Sequence, residues 1–211
     1  MYLSGQIKNS ESYDPVLRND PQATLIIQRY PFLDSSASIT GAFENRGTLS
    51  FDSTLTNSSR TDFYSVLQIY GDYQHKDEAV FVPRLSRQDY QLIVSDDVDL
   101  SGSLKLDELL LDFQIDQLST NHVASLISVG GDLTGHFDDF PEGALVYPEP
   151  FMDDTGLYHE LRITYEAGDG NDVALYTSPI SSVNLATSSD DSLVGSSADD
   201  FVRADGGDDE I

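Results

Sequence analysis

The chain of 211 residues (23.2 kDa) is strongly acidic: 37 Asp and Glu stand against 11 Lys and Arg, a net charge of −26 with neutral histidines. Nucleic acid and anionic membranes bind proteins through a surplus of Lys and Arg, so neither partner is expected, and cations are favoured. The absence of cysteine excludes disulfides, thiolate zinc sites and cysteine nucleophiles. The apolar runs are too short to insert into a bilayer, and no signal peptide is visible.

Residues 1–37 are predicted as a poorly defined N-terminal segment. Pro15, Pro21 and Pro31 interrupt this part of the chain, and proline disrupts helices and strand ladders alike. One strand is predicted within residues 22–32.

Residues 38–178 alternate apolar and polar side chains with a period of two. The alternation recurs in short runs bounded by Gly, Asp, Asn or Ser, at residues 67–69, 92–94, 104–106, 161–165 and 173–175. This pattern predicts short strands joined by tight turns. Residues 106–118 are the one helical candidate, and two strands around Asp112 are the alternative.

An internal repeat is visible in the same region. Its copies begin at Ile39, Ile69 and Val94, apolar positions coincide between copies, and Gly47 falls on Gly102. Repeats of this length without intervening helices predict the stacked coils of a parallel β-helix, with the three starting residues facing inward at equivalent positions. An ordinary β-sandwich with coincidental similarity is the alternative.

Five segments of the chain resemble, in the same order, the closing coils of autotransporter-type and filamentous-haemagglutinin-type β-helix proteins. They are residues 71–74, 90–94, 100–104, 135–144 and 163–175. Phe140 replaces a leucine of that pattern, and Ala167 replaces a glycine. The resemblance covers residues 38–177. It implies right-handed parallel β-helix-like coils, a structural or adhesin-like role, and a location outside the cell or on its surface.

Residues 188–211 carry eight acidic side chains and one basic side chain in a nine-residue register. The register consists of three Asp pairs: Asp190 and Asp191, Asp199 and Asp200, Asp208 and Asp209. Each pair precedes an apolar residue, and the pattern resembles the haemolysin-type (RTX) nonapeptide. The resemblance implies a β-roll in which these Asp residues and turn carbonyls bind calcium (Ca2+). Because successive turns fall on alternate sides, Asp191 and Asp209 are expected on one edge and Asp200 on the other.

The roll is predicted to be short and degenerate. The glycines that permit positive φ at its turns are mostly missing before the third repeat. Residues 179–187 are predicted as a linker between the coils and this tail. The separate segment 168–172 either ligates calcium or forms a turn stabilised by Asx side chains.

The sequence predicts no catalytic site. The histidines, His75, His122, His136 and His159, lack metal-ligand spacing, and each is expected on the surface or in a loop. Serine-nucleophile and phosphate-loop motifs are absent. The paired acids at 96–97, 138–139 and 153–154 are expected on the solvated surface, since neighbouring strand residues point to opposite faces.

These observations predict an all-β, non-enzymatic, structural or adhesin-like segment of a secreted or cell-surface bacterial protein. Its C-terminal nonapeptides are expected to bind Ca2+, and an extracellular polysaccharide or cell-surface ligand is a candidate partner. Two alternatives stay open: a fragment of an extracellular polysaccharide-active enzyme or peptidase whose catalytic part lies elsewhere, and an acidic carbohydrate-binding module.

Overall fold

A computed structural model describes residues 2–3, 6–8, 16–28, 37–52, 66–83, 91–106, 124–147, 150–152, 156–180, 182–185 and 200–203. The secondary structure of these residues is all β, as predicted. The strands are β1 (Tyr2–Leu3), β2 (Gln6–Lys8), β3 (Leu17–Asn19), β4 (Thr24–Gln28), β5 (Ala37–Thr40), β6 (Phe43–Asn45), β7 (Thr48–Asp52), β8 (Leu67–Tyr70), β9 (Tyr73–His75), β10 (Val80–Val82), β11 (Leu92–Val94), β12 (Val98–Leu100), β13 (Ser103–Leu104), β14 (Ala124–Val129), β15 (Leu133–Gly135), β16 (Phe151–Met152), β17 (Tyr158–Ala167), β18 (Asp172–Pro179), β19 (Ser182–Leu185) and β20 (Asp200–Arg203). Residues 107–118 of the helical candidate lie outside the described part.

Successive strands from β1 to β15 enter three sheets in rotation. Sheet 1 has the order β1-β4-β7-β10-β13. Sheet 2 contains β2, β5, β8, β11 and β14, and sheet 3 has the order β3-β6-β9-β12-β15. Every pairing among these strands is parallel, and each strand pairs with the strand three positions along the chain. We call β2–β4 cycle 1, β5–β7 cycle 2, β8–β10 cycle 3, β11–β13 cycle 4, and β14–β15 the start of cycle 5.

The predicted equivalence of the three repeat starts is confirmed. Ile39 is the register partner of Ile69, Ile69 is the partner of Val94, and all three side chains are buried. The backbone register continues beyond the predicted copies, to Ile7 in β2 and to Val129 in β14, and the Val129 side chain is buried as well. The repeat therefore aligns side chains that are far apart in sequence into one buried column.

The N-terminal segment contributes strands to the same three sheets. The predicted strand within residues 22–32 is present as β4, which pairs with β7 over five residues. Strands β2 and β3 pair with β5 and β6 in the same way. Leu25 and Ile27 are buried, because alternate residues of β4 face the core.

The interior is filled mainly by aliphatic side chains and by stacked aromatic rings. Phe43 stacks on Tyr73 with ring centroids 5.7 Å apart, and Phe81 stacks on Phe137 at 5.9 Å. Buried side chains of this size dominate the free energy of a core, at about 1.5–3 kcal/mol for each fully buried large apolar residue. In the part of the chain that is described, no helix could span a bilayer.

The corners between the sheets differ in length. From cycle 2 onward, the first inward residue of sheet 3 lies four positions after the buried column of sheet 2, as Phe43 does after Ile39. The connections from the end of one cycle to the start of the next vary from 8 to 19 residues. At the constant corner, Gly71 has φ of +149°, and a Cβ there would lie 2.6 Å from the carbonyl carbon of Gly41. At Gly71 the corner therefore leaves no room for a side chain against the preceding cycle.

The rotation ends after β15, which differs from the predicted continuation of the repeat to residue 178. Strands β17 and β18 form an antiparallel hairpin, and β18 pairs antiparallel with β14 at the end of sheet 2. The physical reason is the connection: residues 168–171 are too few for the crossover that parallel strands need, but they suffice for a hairpin. The hairpin therefore covers the end of sheet 2, and we call β16–β18 the cap.

Candidate functional site

The structure describes only part of the predicted calcium-binding tail. Asp200 begins β20, and its side chain is not among those described. The other predicted ligands lie outside the described residues: Asp190, Asp191, Asp199, Asp208 and Asp209. The geometry of the site therefore rests on the backbone of β19 and β20.

Strands β19 and β20 pair in parallel with a separation that matches two nonapeptides. Ser182 is the register partner of Asp200, and Leu185 is the partner of Arg203, so the partners are 18 residues apart in sequence. The separation is twice the nine-residue spacing of the Asp pairs. Residues 179–187, predicted as a linker, include β19.

Carboxylates elsewhere in the described part do not gather into a metal site. No group of three or more His, Cys, Asp or Glu with suitable spacing occurs among those residues. The acids of the two described pairs, at 96–97 and 138–139, are exposed, as predicted. The pair at 153–154 lies outside the described residues.

The turn at 168–172 attaches the cap to the strand that precedes it in sheet 2. Asn171 Nδ2 donates a hydrogen bond to the carbonyl of Gly131, and Asp172 Oδ1 accepts one from the N–H of Val129 at 2.8 Å. Asp172 is buried, so this carboxylate oxygen satisfies a backbone donor in the interior. The described contacts of these two side chains therefore go to the backbone of β14 and of the turn that follows it.

A second set of hydrogen bonds joins the cap to residues 135–143. The Tyr165 hydroxyl donates to the carbonyl of Phe140 at 2.6 Å and accepts from the N–H of Phe137 at 3.1 Å. Glu142 Oε2 accepts from the backbone N–H of Tyr165 at 2.7 Å. Burial raises the pKa of the Tyr165 phenol, and the charge of Glu142 raises it further, against the hydrogen bond from Phe137. The hydroxyl therefore stays protonated and able to donate.

Two of the four histidines are buried, contrary to the expectation from sequence. His75 and His159 are buried, whereas they were expected on the surface or in loops. Each lies at an inward position of an alternating strand, two residues from a buried neighbour, Tyr73 and Leu161 respectively. His136 is exposed, as expected, and His122 lies outside the described residues.

Sequence reasoning also missed a column of buried polar side chains in sheet 3. Asn19, Asn45 and His75 are register partners in cycles 1 to 3 and are all buried. The signal for this column was present in the repeat, because Asn45 and His75 each follow their repeat start by six residues. We call Asn19, Asn45 and His75 the polar ladder.

Comparison with known proteins gives no independent assignment. No family model matches the chain, and neither a curated protein nor a solved structure matches it.

Proposed function

We propose that the three-sheet rotation is a right-handed parallel β-helix, in which each cycle is one coil. The constant order of the sheets and the parallel pairing of each strand with its successor three positions along support this architecture. Right-handedness follows from the strong preference of parallel strand connections for that hand. A crystal structure in which Ile39, Ile69 and Val94 did not stack in one column would contradict the proposal.

This β-helix serves, in our proposal, as a non-catalytic structural or adhesin-like segment of a secreted or cell-surface protein, and the nonapeptides that follow it bind calcium. The 18-residue offset between β19 and β20 carries the calcium proposal. In a roll whose successive turns fall on alternate sides, each strand pairs with the strand two nonapeptides further along. The offset of this pair is the one that such a roll requires.

The chemistry of the tail suits a hard divalent cation. Residues 188–211 hold eight acids and one base, so their carboxylates repel one another unless a cation lies between them. Calcium takes six to eight oxygen ligands in flexible geometry, which Asp side chains and turn carbonyls of adjacent repeats provide. Asp200 then occupies one edge of the roll, and Asp191 and Asp209 occupy the other.

Calcium alone is too weak an ordering force for so few repeats. Saturation at about 100 times the dissociation constant stabilises the folded form by about 2.7 kcal/mol. Ordering the backbone opposes this by about 1–2 kcal/mol for each residue. We therefore expect weak binding in this chain, and tighter, cooperative binding wherever further nonapeptides extend the roll.

The calcium proposal is tested by calorimetric titration of the 211-residue chain with calcium, and with magnesium for comparison. We expect calcium-dependent heat that is reduced in the double variant Asp199→Asn with Asp200→Asn. The matched control is Asp138→Asn with Asp139→Asn, which removes the same charge from an exposed turn and should bind calcium like the unmodified chain. Equal heats in both double variants, or no calcium heat in the unmodified chain, would show the proposal to be wrong.

The non-catalytic role has a separate test. Incubation of the purified chain with pectin, alginate or casein should give no turnover of these substrates. The proposed binding partner of the coils is an extracellular polysaccharide or a cell-surface ligand. Turnover that a single Asp→Asn substitution abolished would contradict this role and would favour the alternative of an extracellular enzyme.

A further inference from the structure

The polar ladder runs through the interior along one line of hydrogen bonds. Asn19 Nδ2 donates to Asn45 Oδ1 at 2.7 Å, and Asn45 Nδ2 lies 3.2 Å from Nδ1 of His75. In cycle 4 the next register position is Leu100, an apolar residue. His75 is therefore the last polar member of the ladder and its final acceptor.

The direction of these bonds fixes the tautomer of His75. The Asn45 amide presents a donor to Nδ1, and the Tyr73 hydroxyl lies 2.7 Å from the same atom. Because Nδ1 accepts, the single ring proton of neutral His75 is on Nε2. The ring lies edge to face against Phe81 and Phe137.

We propose that His75 is an acid-sensitive lock on the coil stack: protonation converts the final acceptor of the polar ladder into a donor and destabilises cycles 1 to 3 together. A protonated Nδ1 faces the donor Nδ2 of Asn45. Rotation of the Asn45 amide does not relieve this conflict, because Asn45 Oδ1 already accepts from Asn19. The Tyr73 oxygen, 2.7 Å from Nδ1, can accept the new proton, but Asn45 Nδ2 is then left in the interior without its acceptor at the end of the ladder.

The charged groups on the neighbouring elements do not stabilise an imidazolium at this position. The titratable group that faces the ring is Tyr73, which is neutral, since burial raises the pKa of its phenol. The remaining groups point outward by strand alternation or lie in exposed turns. They are the Glu44–Arg46 pair, the Lys76–Asp99 pair, and the exposed residues 77–78, 136 and 138–139.

The direction of the titration agrees with this geometry. Burial lowers the pKa of His75 from 6.5 to about 4, against hydrogen bonding to the backbone of Ser103 and Ala79. The unfolded chain thus takes up this proton first, so the stability due to neutral His75 is complete above pH 6.5 and is lost as the pH falls toward 4. Near pH 4.5 these values raise the unfolding equilibrium constant by roughly 60-fold relative to pH 7.

Urea unfolding at about pH 7 and about pH 4.5 tests the proposal. The variant His75→Asn continues the ladder with a side chain that does not titrate, and His136→Asn is the matched control at an exposed histidine. Carboxylate titration affects all three proteins alike. We expect acidification to raise the unfolding constant of the unmodified chain and of His136→Asn roughly 60-fold more than that of His75→Asn.

Nitrogen NMR of the unmodified chain provides a second test, which stands if His75→Asn does not fold. The expected spectrum shows His75 as the Nε2–H tautomer at neutral pH, with no protonation of the folded form until the pH approaches 4. A folded His75 that titrates at its ordinary pKa, a proton on Nδ1, or an equal loss of stability in His75→Asn would overturn the proposal.

Discussion

Replacing Tyr165 by Phe removes a single oxygen atom that holds the cap against the strands beneath it. The hydroxyl makes two hydrogen bonds, to the carbonyl of Phe140 and from the N–H of Phe137. Phe137 is fully buried, so its N–H finds no water when the hydroxyl is removed, whereas the carbonyl of half-buried Phe140 is closer to solvent. The variant therefore combines the cost of a buried donor without a partner with the loss of a hydrogen bond near the surface.

The expected loss of stability follows from these two contributions. An unsatisfied buried donor costs about 1–3 kcal/mol, and the second hydrogen bond contributes about 0.5–1.5 kcal/mol net. Tyr165→Phe should therefore lower the free energy of unfolding by about 1.5–4.5 kcal/mol, which corresponds to a roughly 10- to 2,000-fold larger unfolding constant. Ring packing against Phe137 is retained, so no cavity adds to this loss.

Urea unfolding followed by circular dichroism measures the effect, with Tyr70→Phe as the matched control. Tyr70 is 55% exposed, and its hydroxyl bonds only to Gln68 on the surface, so its variant should stay within about 0.5 kcal/mol of the unmodified chain. Hydrogen exchange of the Phe137 amide should also accelerate in Tyr165→Phe. Equal midpoints for the two variants would refute the assigned role of the Tyr165 hydroxyl.

Two further substitutions test the contacts between successive elements. A Cβ at Gly135 would lie 2.1 Å from the carbonyl oxygen of Leu100 at φ of +76°, whereas Gly156 has φ of +86° and open space. In urea unfolding, Gly135→Ala should therefore lower the free energy of unfolding by more than Gly156→Ala, whose backbone cost is roughly 1–2 kcal/mol. Equal losses of stability in the two variants would contradict the close approach of Gly135 to Leu100. Asp172→Ala leaves the N–H of Val129 buried without its 2.8 Å acceptor and should lose about 1–3 kcal/mol, while Asp172→Asn, which keeps Oδ1, should lose less in the same assay.

The sequence predicted the parts of the fold that the repeat makes periodic. Ile39, Ile69 and Val94 were identified because inward residues recur at fixed distances from each start, and the structure aligns them in parallel. The strands before residue 38 were mostly missed. They are two to five residues long and are held by partners further along the chain, so local propensity carries little of their stability.

The polar ladder and the cap show why the remainder of the site was missed. A histidine in a short alternating strand has the same local pattern on either face, and only the register with Asn45 places His75 inside. The roles of Tyr165 and Asp172 likewise depend on backbone groups 28 and 43 residues away. Contacts of this kind depend on the topology of the chain. The spacing of apolar residues predicts that topology for the parallel cycles but not for the cap.

The unequal corners of the stack determine where the protein tolerates insertions. The connections from the end of one cycle to the start of the next already range from 8 to 19 residues while the described strands stay in register. Each doubling of a loop adds only about 0.6 kcal/mol of closure entropy. A foreign peptide placed within residues 84–90 should leave the column from Ile69 to Val94 intact. One residue added between Ile69 and Tyr73 would instead turn every following side chain of that cycle to the opposite face. The connections of variable length are thus the positions at which inserted residues should add to the protein surface without changing the buried core.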